Sequence, residues 1–106
     1  MADYPYQNSD LTIRQRVSDL LSRMTVAEKV GQVNQHLYGW ECYEKQADGS
    51  VQLTEKFKEH VSWGGGLGAL YGLFRADPWS KVGFDNGIAP EASWQLVNQV
   101  QAYVMS

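Results

Sequence analysis

The chain has 106 residues, a formal charge of −3 and a pI near 5.2, which suits one domain and excludes the clustered basic face of a nucleic-acid binder. Its Lys and Arg are scattered from Arg14 to Lys81. No uninterrupted apolar run approaches the roughly 18 residues of a membrane helix, and the first ten residues lack the basic and apolar regions of a secretory signal. One cysteine, Cys42, rules out an internal disulfide framework and fits a reducing, cytoplasmic setting. Four Trp, six Tyr and three Phe are a rich aromatic complement. Such rings serve either as sugar platforms or as core with their polar atoms partnered.

Residues 1–11 read as an irregular lead-in with turn formers at Pro5 and Asn8-Ser9-Asp10. Thr12 and Gln15 then offer a capping box. Ile13, Val17, Leu20, Leu21 and Met24 recur at helical spacing, which predicts an amphipathic helix over Ile13 to Arg23. Thr25-Val26-Ala27-Glu28 is a second capping box. The helix it opens is weakened at Gly31 and is expected to end between Gln32 and Gln35. Val33 to Tyr43 is β-favourable and suits an extended segment. Asp48-Gly49 marks a turn across which Val51 and Leu53 can pair back as a hairpin.

Thr54 can cap a short helix that buries Phe57 and Val61 and is ended by Gly64-Gly65-Gly66. These glycines read as a flexible hinge. The uncharged run Leu67 to Phe74 has the character of a buried parallel strand. It breaks into a polar, aromatic loop at Arg75, Asp77, Pro78 and Trp79. Pro90 and Glu91 suit the first turn of a last helix, with Leu96, Val97, Val100, Tyr103 and Val104 on one arc. The implied fold class is α/β, with one central strand and flanking helices. A single strand cannot satisfy its backbone groups or cover both its faces, so the chain is expected to be the opening portion of something larger.

The glycine-rich run lacks the Gly-Lys-Ser/Thr ending of a phosphate loop and precedes a strand instead of opening a helix. His36, His60, Cys42, Glu41 and Glu44 are metal-ligand types, but their spacing matches no standard zinc pattern, and a structural role is the better reading. Arg75 and Asp77 can hydrogen-bond sugar hydroxyls, with Trp79 as a stacking platform. Alternatively Arg75 pairs internally and Asp77-Pro78 starts a turn. No pair of carboxylates is assignable from spacing as a catalytic acid and nucleophile.

The segment from Arg16 to Val33, Arg-Val-Ser-Asp-Leu-Leu-Ser-Arg-Met-Thr-Val-Ala-Glu-Lys-Val-Gly-Gln-Val, closely resembles the N-terminal signature of family-3 glycoside hydrolases. The glycine-rich run Gly66 to Leu73 resembles that family's first barrel strand. The helix carrying Trp94, Asn98, Gln101 and Ala102 resembles one of its helices. The resemblance covers residues 12 to 106. It implies the N-terminal part of a (β/α)8 TIM-type barrel whose active site lies at the C-terminal ends of the strands. It also implies a retaining glycosidase, with an Asp nucleophile and a separate acid/base carboxylate, acting on oligosaccharides or aryl/alkyl glycosides without a cofactor. The family's Asp-x-x-His-Gly, Lys-His and Ser-Asp-Trp motifs are then expected beyond Ser106. No catalytic residue is carried onto this chain, and Arg75, Asp77 and Trp79 are the expected substrate-binding residues. The competing expectations are a non-catalytic carbohydrate-binding module using Trp40, Trp63 and Trp79, and a generic α/β domain whose aromatics are all core.

Overall fold

The computed structural model describes residues 4–106. Local capping sets the first two helices. Thr12 accepts the Gln15 amide while the Gln15 side chain accepts the Thr12 amide, opening helix α1 at Ile13–Arg23. Thr25 and Glu28 repeat the exchange for helix α2, Val26–Gln32, satisfying N–H groups that a helix start leaves without partners. Helix α2 ends where Gly31 and the extended preference of Val33 weaken it.

Residues 4–11 of the lead-in are more ordered than their composition suggests, and residues 1–3 lie outside the described residues. Pro5–Gln7 forms a 3-10 turn that lies along α1. The Tyr6 amide donates to Asp19, and Arg16 Nε donates to the Tyr6 carbonyl at 2.8 Å. Arg23 pairs with Asp19 at 3.0 Å and lies over the Tyr4 ring. The lead-in therefore grips the charged side of α1, while Ile13, Val17, Leu20 and Leu21 face solvent. Val26, Val30 and Val33 on and after α2 are exposed as well.

The core sits between the hairpin and the last two helices. Strands β1, Tyr43–Lys45, and β2, Val51–Leu53, pair antiparallel with Tyr43 opposite Leu53. Gly49 turns the chain with a φ of 87°, and Asp48 Oδ1 accepts the Ser50 amide and hydroxyl. Thr54 caps helix α3, Glu55–Ser62, and also donates to the Glu41 carbonyl at 2.7 Å. A 3-10 turn at Pro90–Ala92 leads into helix α4, Ser93–Met105. Phe57, Leu96, Leu37 and Cys42 are fully buried, joined by Tyr43, Val51 and Val100. Of the arc expected on the last helix, Leu96 and Val100 are buried, whereas Val97 and Val104 are exposed. The chain is thus a mixture of helices and a small two-stranded sheet. Its radius of gyration, 16.7 Å, exceeds the roughly 13 Å of a compact domain this size, so it is elongated.

The strand expected over Leu67 to Phe74 does not form as a continuous strand. Leu67, Leu70 and Leu73 pack on the core at every third residue, a spacing that no strand face offers, while Tyr71 and Phe74 are exposed. Gly72, in the left-handed region at φ 73°, turns the chain, and Arg75 N–H closes that turn on the Gly72 carbonyl. Pairing is nonetheless present. Tyr71 bridges Tyr38 in parallel, the Gly68 and Ala69 amides donate to the Asn34 carbonyl, and Gly39 N–H donates to the Tyr71 carbonyl at 2.7 Å. Residues 34–39 and 68–71 therefore lie side by side and parallel, and the hairpin and α3 make the crossover between them.

Of the glycines expected to be a flexible hinge, Gly64 has open space around it, but Gly65 is held by close packing, as is Gly68. A Cβ on Gly65 would collide with the Ala27 carbonyl, one on Gly68 with the Gln32 carbonyl, and one on Gly31 with Gly65. Backbone packs directly on backbone here. Gly65→Ala or Gly68→Ala is therefore expected to destabilise the protein by about 1–3 kcal/mol through overpacking. Gly83, whose Cβ would meet nothing within 4 Å, is expected to accept Ala within about 0.5 kcal/mol. Urea denaturation midpoints of the three variants check this.

Candidate functional site

The turn after Gly72 and the 3-10 turn Gly39–Glu41, which follows the segment parallel to 68–71, together place one aromatic and charged cluster. Tyr38 stacks on Trp40, with centroids 4.6 Å apart and ring planes nearly parallel. Trp79 meets both rings edge-on, at 5.4 and 5.3 Å, and Tyr71 meets Trp40 at 6.4 Å. The Arg75 guanidinium lies over Trp79 at 4.7 Å and over Trp40 at 5.4 Å, an arrangement in which the ring faces attract the cation. Its Nε donates to Asp77 Oδ2 at 2.6 Å and its Nη1 to the Tyr71 hydroxyl at 3.3 Å.

Asp77 is equally engaged. Its Oδ1 accepts the Ser80 amide at 2.7 Å, and its own N–H donates to the Ser80 hydroxyl. The chain then passes through Lys81, held in the left-handed region at φ 60°. Asn86 bridges that bend by donating to the Lys81 carbonyl and accepting the Gly83 amide. The backbone N–H of Ser80 first, and Arg75 second, hold the Asp77 carboxyl below its ordinary 3.8.

The three expected substrate-binding residues are therefore brought together: Arg75, Asp77 and Trp79 form one contact group. The alternative roles weighed for two of them are also realised, since Arg75 pairs with Asp77 and Asp77 starts a turn. What this arrangement can do is present a fixed guanidinium–carboxylate pair and a Trp ring that is 59% exposed, donors and acceptors beside a flat apolar face. Sequence reasoning did not join Tyr38, Trp40 and Tyr71 to this group. Tyr38 and Trp40 alternate within the β-favourable run Val33 to Tyr43, which puts them on one face, but nothing along the chain ties that face to Arg75.

Trp63 belongs to another group. It stacks on His36, which stacks on His60 at 5.4 Å, around a cavity of about 220 Å³ also lined by Glu59. Trp40, Trp63 and Trp79 thus do not make one sugar-binding face. Among the described residues no group of three or more His, Cys, Asp or Glu is placed to hold a metal ion. Cys42 is buried, and burial first, then the Glu41 charge, pushes its thiol up to about 12. Among the described residues no helix is long and apolar enough to cross a membrane. No family model matches the chain, and no curated protein or solved structure matches it either.

Two outcomes follow from these surroundings. Because the Asp77 carboxyl is lowered in the folded state, its stabilising bonds are complete above the unfolded value and are lost as pH falls below 3.8 through the folded one. Tryptophan fluorescence, sensitive to Arg75 over Trp79, should report an acid transition there that Asp77→Asn abolishes. The Cys42 thiol should resist a disulfide reagent at pH 8 in the native chain and react fully in denaturant. Rapid native labelling would contradict that burial.

Proposed function

We propose that the chain is the N-terminal portion of the (β/α)8 barrel of a retaining, β-glucosidase-like family-3 glycoside hydrolase. In this reading the enzyme works in the cytoplasm without a cofactor. It removes terminal β-linked sugars from oligosaccharides or aryl/alkyl glycosides. The observation that carries the reading is the parallel placement of residues 34–39 and 68–71 across the crossover containing α3, with Arg75, Asp77 and Trp79 following directly on the second segment. A strand, a crossover helix and a parallel strand are the repeating unit of that barrel, and its sites are built on loops just beyond the C-terminal strand ends.

Residue-level support comes from the stretch resembling the family signature, Arg16 to Val33. Its Thr25 and Glu28 are the capping box of α2, its Gly31 is the glycine packed on Gly65, and its Asp19 and Arg23 hold the lead-in. The exposed apolar faces of α1 and α2 are the surfaces that further barrel elements would cover. Arg75, Asp77 and Trp79 then form part of the sugar pocket's rim, and the nucleophile and acid/base are supplied from outside these residues.

The 106-residue polypeptide is expected to show no hydrolysis of 4-nitrophenyl β-glucoside. The coding sequence after the Ser106 codon is expected to encode a further strand followed by Asp-x-x-His-Gly. In the enzyme that includes those motifs, Trp79→Ala should raise KM roughly 3–10-fold, the worth of one aromatic contact, with kcat little changed. Turnover by the polypeptide alone, or a downstream sequence without those motifs, refutes the reading.

A further inference from the structure

Away from the Arg75 cluster, two histidines from different elements meet at the cavity of about 220 Å³ that Glu59 and Trp63 also line. His36 lies in the segment 34–39, next to the buried Leu37. His60 lies in the last turn of α3, between the buried Phe57 and Val61, which packs on the core. Both backbones are therefore held by buried neighbours, while the His36 ring is exposed and the His60 ring half-buried. The spacing of the two residues along the chain does not announce this meeting.

Their chemistry is set as well. His60 Nδ1 lies 2.8 Å from the Lys56 carbonyl. A carbonyl only accepts, so Nδ1 carries the proton and Nε2 keeps its lone pair. A ring N–H given to a backbone carbonyl is the arrangement that orients metal-binding imidazoles. The ring centres of His36 and His60 are 5.4 Å apart. Two imidazoles on one tetrahedral ion, with metal–nitrogen distances of about 2.0–2.1 Å, have ring centres roughly 5 Å apart. The ring planes are 26° from parallel. Turning the exposed His36 ring aims both nitrogens at one point without moving the backbone, at the cost of part of its stacking on Trp63.

We propose that His36 and His60 bind one divalent ion of the zinc, nickel or copper class, the metals that imidazole suits. Glu59 on the same wall supplies negative charge. Among the described residues no third protein ligand is in place, so water completes the coordination. Such a site exchanges its ion with the surroundings, unlike a structural zinc centre closed by four protein ligands. The bound ion ties segment 34–39 to the end of α3, close to where Asn34 donates to the Gly66 carbonyl at 2.8 Å. It is separate from Arg75, Asp77 and Trp79, and it stands without the glycosidase reading.

The test is residue-resolved NMR of the 106-residue chain with Zn²⁺, with substoichiometric paramagnetic Ni²⁺, and with Mg²⁺, which prefers oxygen ligands. Zn²⁺ is expected to shift the amides of His36, His60 and Trp63 along one binding curve. Ni²⁺ should broaden the same amides, and Mg²⁺ should leave them unchanged. Zn²⁺ at about a hundred times its Kd should raise the folded-to-unfolded ratio about a hundredfold in urea. His36→Ala, at an exposed position, should weaken Zn²⁺ binding roughly tenfold or more and keep the metal-free urea midpoint. His60→Ala should weaken it by a similar factor. Shifts at only one of the two histidines, undiminished binding by His36→Ala, an unmoved urea midpoint with Zn²⁺, or an equal response to Mg²⁺ each overturn the inference. Zn²⁺-dependent dimers in sedimentation place the ion between two chains, and also overturn it.

Discussion

Everything in this chain depends on how closely two stretches of backbone can approach. Gly31 in α2 lies against Gly65, and the carbonyls of Ala27 and Gln32 lie where Gly65 and Gly68 would carry a side chain. With any Cβ there, α2 would stand away from the glycine-rich segment. The Asn34 carbonyl would then lose the Gly68 and Ala69 amides, and the parallel bridge from Tyr38 to Tyr71 would open. Tyr38 and Trp40 lie on one side of that contact, Arg75 and Trp79 on the other. The aromatic cluster is therefore assembled by a contact made mainly of backbone, to which the Asn34 side chain adds one hydrogen bond, donated to the Gly66 carbonyl at 2.8 Å. Gly31 costs α2 some helix propensity, and that local loss is offset by a tertiary contact no other residue permits.

The cluster itself combines weak interactions that constrain one another. An exposed Arg–Asp pair contributes little. Here the same guanidinium also lies over two indoles, and the same carboxylate closes a turn on Ser80. Each contact restricts the rotamers that the next requires. The long Arg75 side chain is thereby held in one place, which a binding surface needs more than it needs stability.

What was legible in the sequence was whatever is local. The capping boxes at Thr12 and Thr25, the helix Ile13–Arg23, the Asp48-Gly49 hairpin and the Thr54 cap all rest on hydrogen bonds spanning a few residues, and the residue types alone announce them. The segment Leu67 to Phe74 reads as a buried strand because it lacks charge, and only its stretch 68–71 pairs in that way. Its leucines instead recur at every third position, and its glycines serve contact and turning. The pairing of 34–39 with 68–71 was illegible for a different reason: it depends on steric clearance between distant glycines, which leaves no periodic trace. In the candidate site Arg75, Asp77 and Trp79 could be singled out by proximity along the chain, whereas Trp40 and Tyr38 reach them only through that distant pairing.

The two capping boxes also bear on the order in which the protein takes shape as it leaves the ribosome. The α1 and α2 caps are satisfied by residues three positions away, so the starts of these helices are specified early, although helices this short are marginal alone and α2 also packs on Gly65. The core is different. Leu37, Cys42 and Phe57 are buried together with Leu96 and Val100, residues of the last helix to emerge. Contacts so distant in sequence are slow to form, and until then the nascent chain carries an uncovered apolar stripe, the condition in which chains associate wrongly. The charged side of α1 holds Tyr4 and Tyr6 through Arg16, Asp19 and Arg23, which leaves that stripe as the helix's main site for later docking and so gives assembly a direction.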